Sequence, residues 1–120
     1  MKQLGICLLT HDVPRLARFY ELILQAPGSG DAAYTQFSVP CSCLELWNRG
    51  DAATQPNGNL LINWEIGDAD REHERLKQLG LPLLSPPKNL PWGLRSLETA
   101  DPDGNRVVIW QRLGGESACG

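Results

Sequence analysis

The sequence contains no apolar run that approaches the ~20 residues required by a membrane-spanning helix. It also lacks a basic face: eleven Lys and Arg residues are scattered among fourteen Asp and Glu residues, and the net charge is −3. Phosphate binding needs a clustered positive surface, so nucleic acid is not an expected partner. The start, Met1-Lys2-Gln3, shows no signal-peptide cleavage site, and we therefore expect a cytoplasmic protein with no membrane partner.

Cysteine and histidine, the usual ligands of structural zinc, are scarce. The four cysteines include no CxxC pair and no spacing typical of a disulfide framework. We interpret them as small apolar residues, with Cys41 and Cys43 sharing one face of a strand and Cys119 exposed near the C-terminus. The two histidines, His11 beside a predicted helix start and His73 within a helix, favour surface or capping roles.

Apolar residues make up 42% of the 120 residues and charged residues 21%, which is typical of an ordered globular protein. We predict one domain over residues 1–113, with a first module at about 1–50 and a second at about 58–113. The polar segment 49–58, which carries Gly, Pro and Asn, is the predicted linker. Residues 114–120 are predicted to form a flexible tail.

The first module reads as strand, helix, strand, strand. Alternating apolar residues predict a strand over 2–10, after which Asp12 is placed to cap a helix that tolerates Pro14 in its first turn. Apolar residues then recur at helical spacing up to Ile23. Two strands are predicted around 33–39 and 42–48, with Pro40 in the tight connection between them.

The second module repeats this order with longer loops. Residues 59–66 alternate as a strand, Asp68 is placed to cap a helix ending near Leu79, and Gly80 is its predicted stop. A short strand at 81–84 and a Pro-rich loop at 85–93 follow. The last strands are 94–99 and 105–112, joined by the turn Asp101-Pro102-Asp103-Gly104.

The two modules keep a common register, as expected for a duplicated βαβββ unit. The capping residues Asp12 and Asp68 are 56 positions apart (68 − 12 = 56), and Trp47 and Trp110 are 63 apart (110 − 47 = 63). The second offset is larger because the second module has longer internal loops. One βαβββ unit repeated in tandem explains both offsets.

Two motifs resemble the vicinal oxygen chelate superfamily, which includes glyoxalase I, extradiol dioxygenases, fosfomycin-resistance enzymes and bleomycin-resistance proteins. One is Thr10-His11-Asp12-Val13 followed by Ala17-Arg18-Phe19-Tyr20-Glu21, although Gln25 replaces the glycine that ends the family pattern. The other is Pro91-Trp92-Gly93-Leu94-Arg95 leading to Asp101–Asn105. The resemblance covers roughly residues 2–113. It implies an α+β fold in which the two modules form a half-open mixed-sheet barrel around a central cavity, and it implies a homodimer.

Family enzymes hold a divalent metal with four side chains, and the resemblance places these positions at Gly5, Glu45, Leu61 and Val108. Among these residues only Glu45 has an oxygen ligand, and one carboxylate does not make a metal site. A strand shifted by one residue brings Leu4, Ile62 and Val107 to the cavity instead, which is no better. We therefore expect no metal, no cofactor and no catalytic residue.

The predicted cavity face mixes aromatic, amide and carboxylate groups, which suits a ligand pocket. Trp47 and Trp110 are equivalent in the repeat, and Trp92 lies on a loop that overhangs the cavity in similar proteins. Indole rings bind planar or cationic groups, and carboxylates favour cations. The predicted ligand-binding residues are Cys7, Glu45, Trp47, Asn63, Glu65, Trp92 and Trp110. The alternative is that these tryptophans lie in the core or at a dimer interface.

The leading hypothesis is a metal-free binding protein, similar to bleomycin-resistance proteins, that sequesters an aromatic or cationic compound and confers resistance. The first alternative is a metal-dependent lyase, isomerase or dioxygenase of the same superfamily. A second is metal-free acid–base catalysis by Glu45 or Glu65 in an apolar cavity. A third is an interaction module with a filled cavity. The ligand itself is not identified by the sequence.

Overall fold

The computed structural model describes residues 2–114, so the predicted tail, apart from Gly114, and the prediction for Cys119 lie outside the described residues. The chain falls into two compact units that divide between Pro56 and Asn57. We call these unit 1 and unit 2. Neither helix in the described part of the chain is long and apolar enough to span a membrane.

Unit 1 is a four-stranded mixed sheet with one helix on it. The sheet order is β1-β4-β3-β2, with β1 parallel to β4 and the other neighbours antiparallel. The helix packs against β3 and β4, and its apolar side buries Val13, Leu16 and Tyr20. The elements are β1 (Leu4–Leu9), α1 (Val13–Leu24), β2 (Ser29–Gly30), β3 (Tyr34–Val39) and β4 (Ser42–Trp47).

Unit 2 repeats this architecture. Its sheet order is β5-β8-β7-β6, with β5 parallel to β8 and the other neighbours antiparallel. The helix packs against β6, β7 and β8. The elements are β5 (Leu61–Ile66), α2 (Ala69–Gln78), β6 (Ser85–Leu90), β7 (Leu94–Ala100) and β8 (Arg106–Arg112).

The predicted tandem of two βαβββ modules in an α+β fold is confirmed, and the strand pairing follows the predicted repeat. In unit 1, Gly5 lies opposite Cys43 in the parallel pair. The offsets of 56 and 63 residues carry these positions to Leu61 and Arg106, which lie opposite each other in unit 2. The two parallel pairs therefore share one register.

Both helices begin as the sequence predicts. The Oδ1 atoms of Asp12 and Asp68 each accept a hydrogen bond of 3.1 Å from the backbone N–H three residues later, which satisfies an otherwise unpaired amide of the first turn. The first helix ends at Gln25 in the left-handed conformation, with φ of 54°. The second ends before Gly80, whose φ of 75° favours glycine.

Replacing either capping aspartate by alanine is expected to lower the free energy of unfolding by about 1 kcal/mol, since one amide of each first turn loses its acceptor. Asn at either position is expected to retain most of the stability. Urea denaturation followed by circular dichroism measures the change. Glu74→Ala, an exposed substitution within α2, is the control, and equal stability of Asp12→Ala, Asp68→Ala and this control would contradict the capping role.

Four local predictions were wrong. Residues 85–90 form the strand β6 and not a loop, because β6 is an edge strand with a bulge between Ser85 and Lys88, where two prolines remove no essential sheet hydrogen bond. Cys41 does not share a strand face with Cys43, because it lies in the turn before β4 with φ of 65°. It is also disulfide-bonded, so the interpretation of this cysteine as a small apolar residue is wrong. The alternation that puts Leu8 and Ile62 on the helix-facing side also predicts Leu4 and Leu60 there, and both are exposed. The short strand predicted at 81–84 does not form, because the Leu81 N–H donates to the Leu76 carbonyl at the end of α2 and β6 begins only at Ser85.

Candidate functional site

Each sheet has one face covered by its helix and one face opposite, which we call the open face. Alternate residues of β4, β5 and β8 point to the helix and are almost fully buried, namely Leu44 and Leu46 in unit 1 and Ile62, Val107 and Ile109 in unit 2. Their neighbours along each strand therefore lie on the open face. The strand phase predicted from the sequence agrees with this burial pattern and places Cys7, Glu45, Trp47, Asn63, Glu65 and Trp110 on the open faces.

On the open face of unit 1, Glu45 lies at the centre of a polar cluster. It sits between Cys7 on β1 and Gln36 on β3 in the strand register. The Sγ atom of Cys43 lies 3.9 Å from Glu45 Oε1, and the Tyr34 side chain is hydrogen-bonded to Glu45. Tyr34 is not among the residues predicted from the sequence, although extending the alternation to the whole of β3 puts it on this face.

Burial and the Glu45 carboxylate together raise the pKa of two side chains in this cluster. Burial raises the pKa of the Cys7 thiol, and the negative charge of Glu45 raises it further, while Arg49 lowers it. Burial and the hydrogen bond to Glu45 also raise the pKa of Tyr34. Neither side chain is therefore a ready nucleophile at neutral pH, because the thiolate and phenolate forms are disfavoured.

Replacing Glu45 by Gln is expected to lower the pKa of Cys7, since a negative charge that disfavours the thiolate is removed. Alkylation of Cys7 by iodoacetamide at pH 8 is then expected to be roughly twofold faster. The rate is measured by mass spectrometry of the Cys7 peptide in a Cys43→Ser background, with Glu74→Gln as the control for net charge. The alkylation rate is also measured as a function of pH, which gives the pKa of Cys7. A Cys7 pKa that is higher in Glu45→Gln than in the unaltered protein would contradict the assigned cause.

On the open face of unit 2, Trp110 is held by polar contacts. Its Nε1 donates a hydrogen bond of 3.0 Å to Asn63 Oδ1 on the neighbouring strand. Glu65 lies opposite Trp110 in the register, and its Oε2 is 3.5 Å from Nε of Arg112. The predicted residues Asn63, Glu65 and Trp110 are thus brought together, and the hydrogen bond fixes one edge of the indole.

An arginine lies over the tryptophan in both units. The guanidinium carbon of Arg49 is 5.3 Å from the centre of the Trp47 ring, and that of Arg112 is 5.5 Å from the Trp110 ring. Both distances fall within the range of cation–π contacts. These arginines are not among the residues predicted from the sequence, although Trp47-Asn48-Arg49 and Trp110-Gln111-Arg112 repeat at the offset of 63 residues.

Trp92 and the two histidines lie outside the strands of the two sheets. Trp92 lies in the turn between β6 and β7 and is 69% exposed. His11 Nε2 is 2.8 Å from the carbonyl oxygen of Ala52, so this histidine ties the segment after β4 to the start of α1. His73 lies within α2 and is therefore not on the open face of unit 2.

The residues at the positions that the family resemblance assigns to metal ligands do not fit a divalent cation. Gly5 has no side chain, and a Cβ placed there meets Cys43 Sγ at 3.0 Å. Leu61 and Val108 present only carbon atoms on the open face of unit 2. Among residues 2–114, no three side chains of His, Cys, Asp or Glu are grouped in a way that could hold a metal ion.

The amino-acid sequence matches a known protein family. The sequence model of the Glyoxalase/Bleomycin resistance protein/Dioxygenase superfamily matches residues 3–109. The chain therefore belongs to this superfamily. No curated protein matches the sequence.

Solved structures support the same fold. A glyoxalase/bleomycin resistance protein/dioxygenase from Nocardioides is 26% identical with a TM-score of 0.76, over 98% of this chain and 87% of that one. A glyoxalase-related enzyme from Fulvimarina pelagi is 21% identical with a TM-score of 0.77, and the match covers 100% of this chain and 98% of that one. The fosfomycin resistance protein FosX from Mesorhizobium loti is 22% identical with a TM-score of 0.70, over 92% of each chain.

Proposed function

We propose that this chain is a metal-independent binding protein of the glyoxalase/bleomycin-resistance type that sequesters a small aromatic compound. The observation that carries the proposal is the set of residues at the family's metal positions, where Gly5, Leu61 and Val108 have no donor atom. Glu45 alone has one, and its carboxylate is engaged by Tyr34. Within residues 2–114 we find no ligand set for superfamily chemistry that depends on a chelated metal.

The open faces supply what an aromatic ligand needs. Trp47 is 40% exposed and Trp110 is half-buried, so both indoles keep accessible surface beside their arginines. An indole that is already ordered loses little conformational entropy when a planar molecule packs on it. Of the two ligand classes predicted from the sequence, the aromatic one is favoured, because a guanidinium already takes the place of a cation over each ring.

Titration with a panel of aromatic compounds, including bleomycin and mitomycin C, tests this function. Saturable quenching of tryptophan fluorescence by at least one planar compound, unchanged by a chelator, is the expected result. Flat titrations across the panel would contradict the proposal. A ligand that binds is expected to be recovered chemically unaltered, since the protein sequesters it.

The rival function is a metal-dependent lyase, isomerase or dioxygenase of the same superfamily. Elemental analysis of protein purified without chelators separates the two. We expect less than about one divalent metal per ten chains, because adventitious surface carboxylates bind such ions weakly. One tightly bound divalent ion per chain would favour the enzyme. Antibiotic resistance, a homodimeric assembly and a cytoplasmic location remain parts of the proposal, and analytical ultracentrifugation tests the dimer.

A further inference from the structure

The open faces of the two units carry unlike residues at most equivalent positions, yet they share one arrangement. Trp47 corresponds to Trp110 and Arg49 to Arg112, and in both units the guanidinium lies over the indole. The carboxylate that accompanies each arginine comes from a different place. Asp51 follows Arg49 along the chain, whereas the partner of Arg112 belongs to the neighbouring strand β5. One geometry is thus reached by two different local routes.

Both guanidiniums are held through Nε. Arg49 Nε donates to Asp51 Oδ1 at 2.7 Å, and Arg112 Nε lies 3.5 Å from Glu65 Oε2. Neither arginine has a hydrogen-bond acceptor for its two Nη groups within residues 2–114. The side chains are therefore oriented while the outer edge of the guanidinium remains open. Two parallel N–H groups at that edge match the two oxygens of a carboxylate, phosphate or phosphonate.

The surrounding charge makes the arginine of unit 2 the stronger anchor. Lys88 on β6 lies opposite Ser96 on β7, which in turn lies opposite Trp110 on β8. Ser96 is small and buried. The position of Glu45 in unit 1 is occupied by Val108 in unit 2, so the carboxylate that repels an anion near Trp47 is missing near Trp110. On the same face, Arg106 adds a positive charge and Glu98 adds a negative charge. The negative charge of Glu65 is balanced by the positive charge of Arg112.

We propose that Arg112, stacked on Trp110 and supported by Lys88, anchors an oxyanion group of the aromatic ligand. The equivalent pair Arg49 and Trp47 forms a weaker site of the same kind. This inference rests on the proposed function, because it names the charged group of the molecule that the tryptophans bind. It departs from the sequence-based prediction of a cationic ligand.

The test uses four probes of similar shape: benzoate, phenylphosphonate, benzyl alcohol and benzylamine. Their binding is followed on the full chain by NMR through the tryptophan Nε1–H and arginine Nε–H signals. We expect benzoate or phenylphosphonate to shift the Trp110 and Arg112 signals saturably, at least about tenfold more tightly than benzyl alcohol, with benzylamine the weakest. The carboxylate and phosphonate arms identify which oxyanion is preferred.

Variants assign the effect to the arginine. Arg112→Gln is expected to reduce the affinity for the better oxyanion about tenfold, and Arg112→Lys to restore only part of it, since an ammonium keeps the charge but not the paired N–H groups. Lys88→Gln and Arg49→Gln are expected to cause about threefold losses or less. Arg18→Gln, exposed on α1, removes the same charge as a control and is expected to change nothing.

The outcomes separate this inference from the proposed function. If benzyl alcohol shifts Trp110 as strongly as benzoate, or if Arg112→Gln leaves benzoate binding unchanged, the oxyanion site is rejected while aromatic binding stands. If no probe shifts either tryptophan signal and the aromatic panel also fails, both are rejected. An oxyanion that binds equally well to Arg112→Gln and Arg18→Gln identifies a nonspecific charge effect and also rejects the site.

Discussion

Replacing Trp110 by leucine is expected to weaken binding of the tightest aromatic compound at least about tenfold, a larger loss than any single charge substitution. Leucine removes the indole surface on which a planar molecule packs. It also removes the hydrogen bond to Asn63 and the surface on which Arg112 lies, so the guanidinium loses its orientation. Calorimetric titration is the suitable measurement, because the substitution removes a fluorophore.

Two further substitutions make this result specific. Trp110→Phe keeps one aromatic ring but loses the N–H and part of the stacking surface, so an intermediate loss is expected. Trp92→Leu removes an equal indole from a turn where the side chain is 69% exposed, and a loss below about threefold is expected there. Equal losses in Trp92→Leu and Trp110→Leu would indicate that ligand contacts do not concentrate on the open face of unit 2.

The fold was predictable because two local signals agree along the chain. Period-two alternation in β1, β4, β5 and β8 separates the buried face from the open face, and a shift by one residue exchanges the two faces. Asp12 and Asp68 mark where the strands give way to helices. The edge strand β6 escaped prediction because its two prolines are disfavoured in a sheet interior, and only the tertiary position at the edge permits them.

The open-face residues of β1, β4, β5 and β8 were predictable for the same reason, and the contacts of Arg49 and Tyr34 were not. Arg49 lies beyond the end of β4, and a bond to Asp51 sets its position over Trp47. That loop conformation has no periodic signal in the sequence. Tyr34 escaped notice because its contact with Glu45 depends on which residues of β3 and β4 lie opposite each other, a register that the turn between them decides.

Removing the side chain of Asp101 is expected to destabilise the fold more than removing either helix cap. This aspartate is buried at the start of the turn that joins β7 to β8. Its Oδ1 accepts hydrogen bonds from the backbone N–H groups of Asp103 at 3.0 Å and Asn105 at 2.9 Å, and its Oδ2 accepts one from the Asn105 amide at 2.9 Å. Asp101→Ala leaves three donors without this acceptor in a partly buried turn.

We expect Asp101→Ala to lose about 3–5 kcal/mol of unfolding free energy, a large part of the roughly 5–15 kcal/mol typical of a small domain. Asp101→Asn keeps one acceptor oxygen and is expected to lose about half as much. Urea denaturation measures both, and a loss below about 1 kcal/mol for alanine would show that the turn does not depend on this side chain. Because β8 follows the turn and carries Trp110 and Arg112, affinity in Asp101→Ala is compared only under conditions where the variant remains folded. There the affinity is expected to match that of the unaltered protein, since Asp101 stabilises the turn and does not contact the ligand.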